Sequence, residues 1–280
     1  MLIPPGVKNL IRLSLEEDLG RGDLTGLAVA PDKRAEADII AREDTVLAAP
    51  FLVEAIIAEA NSTLRVEWKA KEGELVRKGG VLLTLSGSAR EILALERTLL
   101  NFLQRTCGIA TLAREFQQSL GSSKLRLTDT RKTLPGFRFL DKHSVKVGGL
   151  YNHRFGLDGG ILVKENHIRA AGGIRAAVAT LKREVPHGLK IQVEVTNREE
   201  ALEAVGAGAE ALLLDNLPPK DLKPLVAELK HLSPNLLLEA SGGITRENCK
   251  SYGDTGVDLI SMGALTHSVK AAELSLLFRL

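Results

Sequence analysis

The residues best suited to bind a charged small molecule lie between positions 129 and 169. Residues 131–169 hold eight Lys and Arg against three Asp and Glu, together with three of the six histidines. The cations nearest to apolar runs or glycine turns are Arg131, Lys132, His153, Arg154 and Lys164. Such a cluster predicts a site for a small anion that carries carboxylates and phosphates. The alternative interpretation is a solvated basic face, and His143 and His167 could equally be structural or capping histidines.

Carboxylates and glycine loops follow further along the chain. Glu194 and Asp215 end neighbouring apolar runs, which predicts that they meet at one rim of the fold. They could bind Mg²⁺, partly through water, or ribose hydroxyls, whereas Asp215 could instead cap a helix. The segments EASGGI (239–244) and SMGALTHS (261–268) place Ser and Gly between an apolar run and a helical segment. Backbone N–H groups in such loops bind phosphate, so the two loops predict a phosphate site.

The elements that must hold these residues alternate regularly after residue 125. Helical segments separate short apolar runs at 125–129, 161–164, 191–195, 211–215, 236–240 and 257–261. This alternation predicts a parallel sheet covered by helices, with polar groups at the carboxyl ends of its strands. A β/α barrel is favoured over a doubly wound sheet because no GxGxxG follows the first strand. Because the span is short for eight βα units, we expect a reduced barrel.

The N-terminal part of the chain has a different pattern. Helical and strand-like segments alternate at 7–18, 35–48, 51–61, 64–71 and 81–87. The longest helical stretch covers 88–120, and Gly108 is expected to interrupt it past its middle. We therefore expect an N-terminal domain at 1–110 and a barrel domain at 111–268.

The composition excludes several classes of protein. The 37 basic and 35 acidic residues leave a net charge of +2, and aromatic residues make up 4% of the chain. Both values argue against binding to nucleic acid, and the charge argues against a membrane surface. Cys107 and Cys249 lack the spacing of a zinc site or a disulfide framework. The first 20 residues contain prolines and acids where a signal peptide has an apolar core, so we expect a cytoplasmic protein.

These features together resemble the quinolinate phosphoribosyltransferase family, whose members are type II phosphoribosyltransferases. The matching segments are EEDLGRGDLT (16–25), ERTLLNFLQRTCGIAT (96–111), DTRKTLPG (129–136), NHRFGLDGGILVKENHI (152–168), VEV (193–195), LLLDN (212–216), EASGGI (239–244) and SMGALTHS (261–268). The resemblance implies an α/β fold with an N-terminal α/β sandwich domain and an open β/α barrel of fewer than eight strands. It implies a C-terminal helix after His267 that rejoins the N-terminal domain, which residues 269–280 would then complete.

The resemblance also implies a role for individual residues. Catalytic roles are implied for Lys132, Lys164, Glu194 and Asp215. Substrate binding is implied for Arg97, Thr130, Arg131, Lys132, His153, Arg154, Lys164, Glu194, Asp215, Ser241, Gly242, Gly243, Gly263, Ala264 and His267. Glu194 and Asp215 would bind Mg²⁺, partly through water or substrate. The implied assembly is a homodimer, or a higher homo-oligomer, in which Arg97 reaches into the active site of the neighbouring subunit.

The implied reaction joins quinolinate to 5-phosphoribosyl-1-pyrophosphate, releases pyrophosphate and carbon dioxide, and leaves nicotinate mononucleotide for NAD biosynthesis. Other interpretations stay open. A nicotinate-specific phosphoribosyltransferase would release no carbon dioxide, and a molybdenum-transport-associated branch of the family shares much of the basic pocket. Lys164 could form a Schiff base in an aldolase-like lyase. The segment 68–87 resembles a biotinyl-type carrier module, although it lacks a modifiable lysine motif.

Overall fold

The structure is a computed structural model that describes residues 2–120 and 125–279. The first half of the chain forms α1 (Pro5–Leu19), a 3₁₀ turn (Thr25–Ala28), β1 (Arg34–Ala41), β2 (Thr45–Val46), α2 (Phe51–Glu59), β3 (Arg65–Trp68), β4 (Leu75–Val76), β5 (Val81–Ser88) and α3 (Ala89–Ser119). The second half forms β6 (Arg126–Thr128), α4 (Arg138–Val147), β7 (Ile161–Val163), α5 (Glu165–Ala171), α6 (Ile174–Glu184), β8 (Ile191–Val195), α7 (Arg198–Ala207), β9 (Ala211–Asp215), α8 (Pro219–Leu232), β10 (Leu237–Ser241), α9 (Cys249–Gly253), β11 (Leu259–Ser261), α10 (Ala264–His267) and β12 (Leu274–Arg279).

The chain divides into two compact units. The first consists of residues 1–115, 133–149 and 265–280, and the second of residues 116–132 and 150–264. The limits 1–110, 111–268 and 269–280 stay a prediction about domains, and residues 1, 121–124 and 280 within them lie outside the described part. In the described residues, no helix is long and apolar enough to cross a membrane.

The first unit contains an antiparallel sheet with the strand order β12-β1-β5-β3 and a two-stranded sheet of β2 and β4. In β1, the alternating residues Ala37, Ile39 and Ala41 are fully buried. Helix α1 adds Val7 and Ile11 to the same core, at the i, i+4 spacing that puts side chains on one helix face. Helices and a sheet that share one core form the α/β sandwich expected from the resemblance.

The expected C-terminal helix is wrong, because residues 274–279 form the strand β12. It pairs antiparallel with β1, with Leu276 opposite Ile39. The Arg279 side chain donates a hydrogen bond to Asp38 of β1 at 2.8 Å. Leu274 and Leu276 are buried and the residue between them is only half-buried, which is the period of two that a half-buried strand requires.

The expected interruption of the long helix at Gly108 is also wrong. Helix α3 runs through this position from Ala89 to Ser119. A Cβ atom on Gly108 would lie 2.2 Å from the carbonyl oxygen of Lys270 and 3.0 Å from the backbone nitrogen of Ala272. Glycine is therefore required here by the close approach of the segment 270–272. The helix continues because glycine keeps the backbone N–H and C=O groups that form the helical hydrogen bonds.

The second unit contains a parallel sheet of six strands in the order β6-β11-β10-β9-β8-β7. All six correspond to apolar runs in the sequence, and helices separate them along the chain. The outward side chains Leu212, Leu214, Leu238 and Ile260 are fully buried, as expected for a sheet face covered by helices. This is the open, reduced β/α barrel that the sequence predicts.

Candidate active site

The carboxyl ends of the barrel strands present their polar side chains on one face of the sheet. Ser241 pairs with Asp215 of β9 and with Ser261 of β11, and Ser261 pairs with Thr128 of β6. Residues paired in a parallel sheet point to the same side, so these four side chains form a row. Glu194 of β8 pairs with Leu213 and so lies on the same face as Asp215, which is two residues further along. The prediction that these strand ends share one rim is confirmed.

Lys164 and Glu194 are close neighbours at this rim. Lys164 directly follows β7, and its Nζ atom lies 3.8 Å from Oε2 of Glu194 on β8. The Lys164 side chain is about half exposed and that of Glu194 is mostly covered. An ion pair with one solvent-accessible partner leaves the ammonium group available to an incoming anion.

Arg131 and Arg154 place two like charges near each other in the second unit. Both are half-buried. The pKa of Arg154 is lowered, first by burial of its guanidinium group and second by the positive charge of Arg131. The Arg154 Nη1 atom donates a hydrogen bond to the carbonyl oxygen of Gly160 at 2.8 Å, which fixes the side chain. Two cations held in this way repel each other, and a bound anion would relieve that repulsion.

A buried carboxylate that the prediction did not include organises the segment before Arg154. Asp129 follows β6 and is fully buried. Its Oδ1 atom accepts the backbone N–H of His153 at 2.9 Å, and its Oδ2 atom accepts the Asn152 amide at 2.6 Å. The backbone N–H of Asp129 in turn donates to the carbonyl oxygen of Tyr151 at 3.2 Å. Asp129 thereby connects the end of β6 to the segment that carries His153 and Arg154.

Thr130 and Lys132 lie in the turn after Asp129. The backbone N–H of Lys132 donates to the Thr130 hydroxyl at 3.1 Å, and Lys132 is exposed. The turn leaves the Lys132 side chain at the surface of the second unit, beside the end of β6.

The loop after β10 requires glycine. Gly242 has a φ of +94°, and a Cβ atom there would lie 2.2 Å from Oδ1 and 2.9 Å from the backbone nitrogen of Asn216. The Asn216 N–H donates to the carbonyl oxygen of Ser241 at 2.8 Å, and its side-chain amide donates to Asp215 at 2.7 Å. Gly243 has a φ of +58° and is exposed. The loop therefore lies against the end of β9, with its backbone close to Asp215.

The second predicted phosphate loop follows β11. Gly263 and Ala264 are half-buried, and Ala264 begins the four-residue helix α10. His267 ends this helix, is exposed, and has its Nδ1 atom 2.6 Å from the hydroxyl oxygen of Ser268. His267 and Arg97 belong to the first unit, whereas the other predicted site residues belong to the second. Arg97 is an exposed residue of α3.

The two histidines with undecided roles have structural contacts. The Nδ1 atom of His167 accepts the backbone N–H of Lys164 at 2.9 Å, so that His167 caps the start of α5. His143 lies 2.7 Å from Glu72 and makes ring contacts with Phe51 and Phe139. Both contacts correspond to the structural alternative for these residues.

The carboxylates at the rim suit Mg²⁺ only with help from other ligands. Glu194 and Asp215 lie on neighbouring strands and on one face. Among the described residues, no group of three His, Cys, Asp or Glu side chains could hold a metal ion together. Mg²⁺ usually keeps several waters and binds through one or two carboxylates plus substrate phosphates. The donor set therefore fits Mg²⁺ that is bound mainly by water and substrate oxygens.

The predicted site residues do not include three further polar residues of the site, which are Glu239, Gln192 and Asn216. Glu239, which is 3% exposed, has its Oε2 atom 3.4 Å from Nε2 of His153 and accepts the Gln192 amide at 2.8 Å. Asn216 connects Asp215 to the glycine loop. A polar residue inside an apolar run, as in LLLEA and IQVEV, was the available signal, but its partners lie far away in the chain.

The fold and this site define a β/α-barrel protein whose ligand site lies at the carboxyl ends of the strands. Residues 23–107 match the family "Quinolinate phosphoribosyl transferase, N-terminal domain", and residues 109–277 match "Quinolinate phosphoribosyl transferase, C-terminal domain". The chain therefore belongs to the quinolinate phosphoribosyltransferase family.

Individual relatives agree over nearly the whole chain. A probable nicotinate-nucleotide pyrophosphorylase (carboxylating) of Bacillus subtilis is 38% identical over 271 residues, which cover 96% of this chain and 92% of that protein. Quinolinate phosphoribosyltransferase (decarboxylating) 2b, mitochondrial, of Nicotiana tabacum is 38% identical over 287 residues, covering 96% and 81%. The solved nicotinate-nucleotide pyrophosphorylase of Francisella tularensis has a TM-score of 0.93 at 37% identity, covering 99% and 98%.

Proposed function

We propose that this protein is a decarboxylating quinolinate phosphoribosyltransferase. It joins quinolinate to 5-phosphoribosyl-1-pyrophosphate and yields nicotinate mononucleotide, pyrophosphate and carbon dioxide for NAD biosynthesis. Family membership over residues 23–277 supports the reaction. The observation that carries the proposal is that one barrel unit holds both Arg131 near Arg154 and Lys164 near Glu194, because a substrate with two carboxylates needs several fixed cations.

In the proposed reaction, the cations bind and orient the reactants. The pyridine nitrogen attacks the anomeric carbon, a C–N bond forms, and the C–O bond to pyrophosphate breaks with its electron pair on the leaving oxygen. The transition state has oxocarbenium character, so the carboxylates of Glu194 and Asp215 favour the developing positive charge. The arginines and Lys164 hold the anionic groups in place. When bound, Mg²⁺ neutralises charge on the departing pyrophosphate.

Decarboxylation follows from the chemistry of the ribosylated ring. The pyridinium nitrogen accepts the electron pair of the C–C bond to the carboxylate at ring carbon 2. Carbon dioxide leaves, and a proton takes its place on the ring carbon. No enzyme nucleophile is needed for either step. In agreement, burial raises the pKa of the Cys107 thiol to about 12, which makes it a poor nucleophile.

Turnover by the purified protein tests the proposal. We expect nicotinate mononucleotide and carbon dioxide in equal amounts from quinolinate, 5-phosphoribosyl-1-pyrophosphate and Mg²⁺. EDTA is expected to abolish turnover, and added Mg²⁺ to restore it. Turnover of nicotinate but not of quinolinate would instead identify a nicotinate-specific enzyme. Borohydride trapping with a carbonyl substrate would identify a Schiff-base lysine. Full turnover with EDTA would contradict the role proposed for Glu194 and Asp215.

The assembly and the location belong to the same proposal. We propose a homodimer with shared active sites, on the basis of the family resemblance around Arg97, and a cytoplasmic location. Sedimentation of the purified protein tests the first, and fractionation of cells that produce it tests the second.

A further inference from the structure

Glu239 is a buried carboxylate in the middle of a barrel strand that no step of the proposed reaction uses. It lies on β10 and is 3% exposed. Its partners in the sheet register are Leu213 on one side and Leu259 on the other. An ionised carboxylate in such apolar surroundings is costly unless donors face it. The contacts of Glu239 therefore indicate what it is for.

Two side chains from different parts of the barrel meet one oxygen of Glu239. The Gln192 amide donates to Oε2 at 2.8 Å, and Nε2 of His153 lies 3.4 Å from the same atom. Burial alone would raise the pKa of Glu239, but His153, Ser261 and Gln192 outweigh it, and the pKa lies below the ordinary value. Glu239 thus stays an ionised acceptor, and every named contact is with a group that can donate to it.

The other ring nitrogen of His153 determines where the ring proton lies. Nδ1 accepts the backbone N–H of Arg154 at 2.9 Å, so this nitrogen carries no proton. The proton of the neutral ring must then be on Nε2, which faces Glu239. The backbone N–H of His153 is held by Asp129 at 2.9 Å. The ring and the backbone of His153 are therefore each fixed by a different buried carboxylate.

We propose that Glu239 is a positioning residue for the substrate site and acts through His153. By holding the Nε2–H tautomer, it keeps Nδ1 available to the Arg154 N–H and so fixes the segment from which the Arg154 guanidinium projects. The inference rests on the proposed function, because its kinetic readout is turnover of quinolinate. Replacing the carboxylate with an amide keeps the shape and one acceptor oxygen, but it removes the negative charge that strengthens the hydrogen bonds from His153 and Gln192.

A double-mutant cycle tests this coupling. Glu239→Gln is expected to lower kcat/KM for quinolinate by about 10-fold to 100-fold, the range found when a partner that orients a site residue is removed. In a His153→Ala background, the same substitution should change kcat/KM by less than about threefold, because its target is gone. An equal loss in both backgrounds would mean a purely structural role and would overturn the proposal. Glu239→Asp, which keeps the charge, replaces Glu239→Gln in the cycle if the amide variant fails to fold.

The matched control is Glu210→Gln, the same substitution in the same unit. Glu210 precedes β9, at the opposite end of the strands, where its carboxylate accepts the Ile191 N–H at 3.2 Å. We expect unchanged kcat/KM for this variant in both backgrounds.

Nuclear magnetic resonance of the ¹⁵N-labelled histidine rings gives a second readout that does not depend on turnover. With the His153 signals assigned through their loss in His153→Ala, the full-length protein should show a protonated Nε2 and an unprotonated Nδ1. A proton on Nδ1 would overturn the proposal. If the wild-type protein does not turn over quinolinate, the proposed function is wrong. The measured protonation of the His153 ring nitrogens still tests whether Glu239 positions His153.

Discussion

Arg154 is the cation whose surroundings are most specific to anion binding. Its guanidinium is half-buried, is fixed by the Gly160 carbonyl, and has its pKa lowered by burial and by Arg131. A solvated basic face does not bury its charges or place two of them together. Lys164 differs in that its charge is balanced by Glu194 at 3.8 Å. Replacing Arg154 removes a half-buried cation, whereas replacing Lys164 removes one partner of an ion pair, so the two substitutions test the binding site in different ways.

We expect Arg154→Ala and Lys164→Ala each to lower kcat/KM by about 10-fold to 1,000-fold, because each substitution removes a charge-assisted contact to the substrate. Steady-state kinetics checks the loss, and thermal unfolding checks that the fold is retained. Lys190→Ala, which removes an exposed cation from the same unit, serves as the control and should leave kcat/KM unchanged. Normal activity of both Arg154→Ala and Lys164→Ala would show that these cations belong to a solvated basic face and not to a binding site.

Sequence reasoning at the scale of single residues identified charges but not the residues that hold them. Arg131 and Lys164 are recognisable because cations after apolar strands are unusual, and Arg154 because it lies near a glycine turn. Asp129 and Glu239 depend on contacts with residues 23 to 86 positions away, and only the strand order brings these together. The capping role of His167 was open to prediction, since its partner Lys164 is three residues away.

At the scale of elements, the turn after β10 is the most constrained loop of the site. Gly242 needs both its positive φ and its missing side chain, because Asn216 occupies the space of a Cβ atom. Asn216 in turn donates to Asp215, the residue at the end of β9. A change at Gly242 is therefore transmitted to a carboxylate with a proposed role in ribose and Mg²⁺ binding.

We expect Gly242→Ala to raise the KM for 5-phosphoribosyl-1-pyrophosphate and to lower the free energy of unfolding by about 1–3 kcal/mol, the usual cost of side-chain strain at such a position. Kinetics at varied substrate and urea unfolding give the two values. Gly188→Ala is the control, since nothing lies within 4 Å of its added Cβ atom. If Gly242→Ala behaved like the control, a Cβ atom would fit beside Asn216, and the close approach of Asn216 to Gly242 would be contradicted.

The errors at this scale have physical causes. Gly108 has the low helix propensity that predicts a break, but packing against residues 270–272 is what requires glycine there. The C-terminal strand was expected to be a helix from the family resemblance. Residues 274–279 read LSLLFR and do not alternate regularly between apolar and polar, and their partner β1 lies more than 230 residues earlier. Long-range pairing of this kind leaves only a weak local signal.

For the whole molecule, the alternation of βα units was enough to predict the reduced barrel, because the order of neighbouring strands follows the chain from β7 to β11. The sandwich came from the resemblance, since its sheet joins β1 to the last strand of the chain. The proposed assembly concerns residues of both units, with Arg97 in the first and Lys164 in the second. The proposed shared active site therefore requires that the protein forms a dimer.

Arg97 has the surroundings expected of a residue that serves a partner subunit. It is exposed on α3, while Ile92, Leu95 and Leu99 of the same helix are buried. A surface arginine on a helix is often paired with an acid one turn away. The positions three and four residues from Arg97 hold Leu93, Ala94, Leu100 and Asn101, and none of these is acidic. In the proposed homodimer, the planar guanidinium would suit a ring carboxylate of quinolinate bound to the neighbouring subunit.

Mixing inactive Arg97→Ala protein with inactive Lys164→Ala protein should therefore restore activity. Each heterodimer has one pocket that combines an intact barrel with an intact Arg97 from its partner, and random exchange gives about a quarter of the wild-type sites. Lys164→Ala mixed with Arg154→Ala is the control: both changes lie in the barrel, so no heterodimer pocket is intact. Mass spectrometry of differently labelled subunits verifies the exchange. If exchange is complete and neither mixture gains activity, each pocket is built from a single chain.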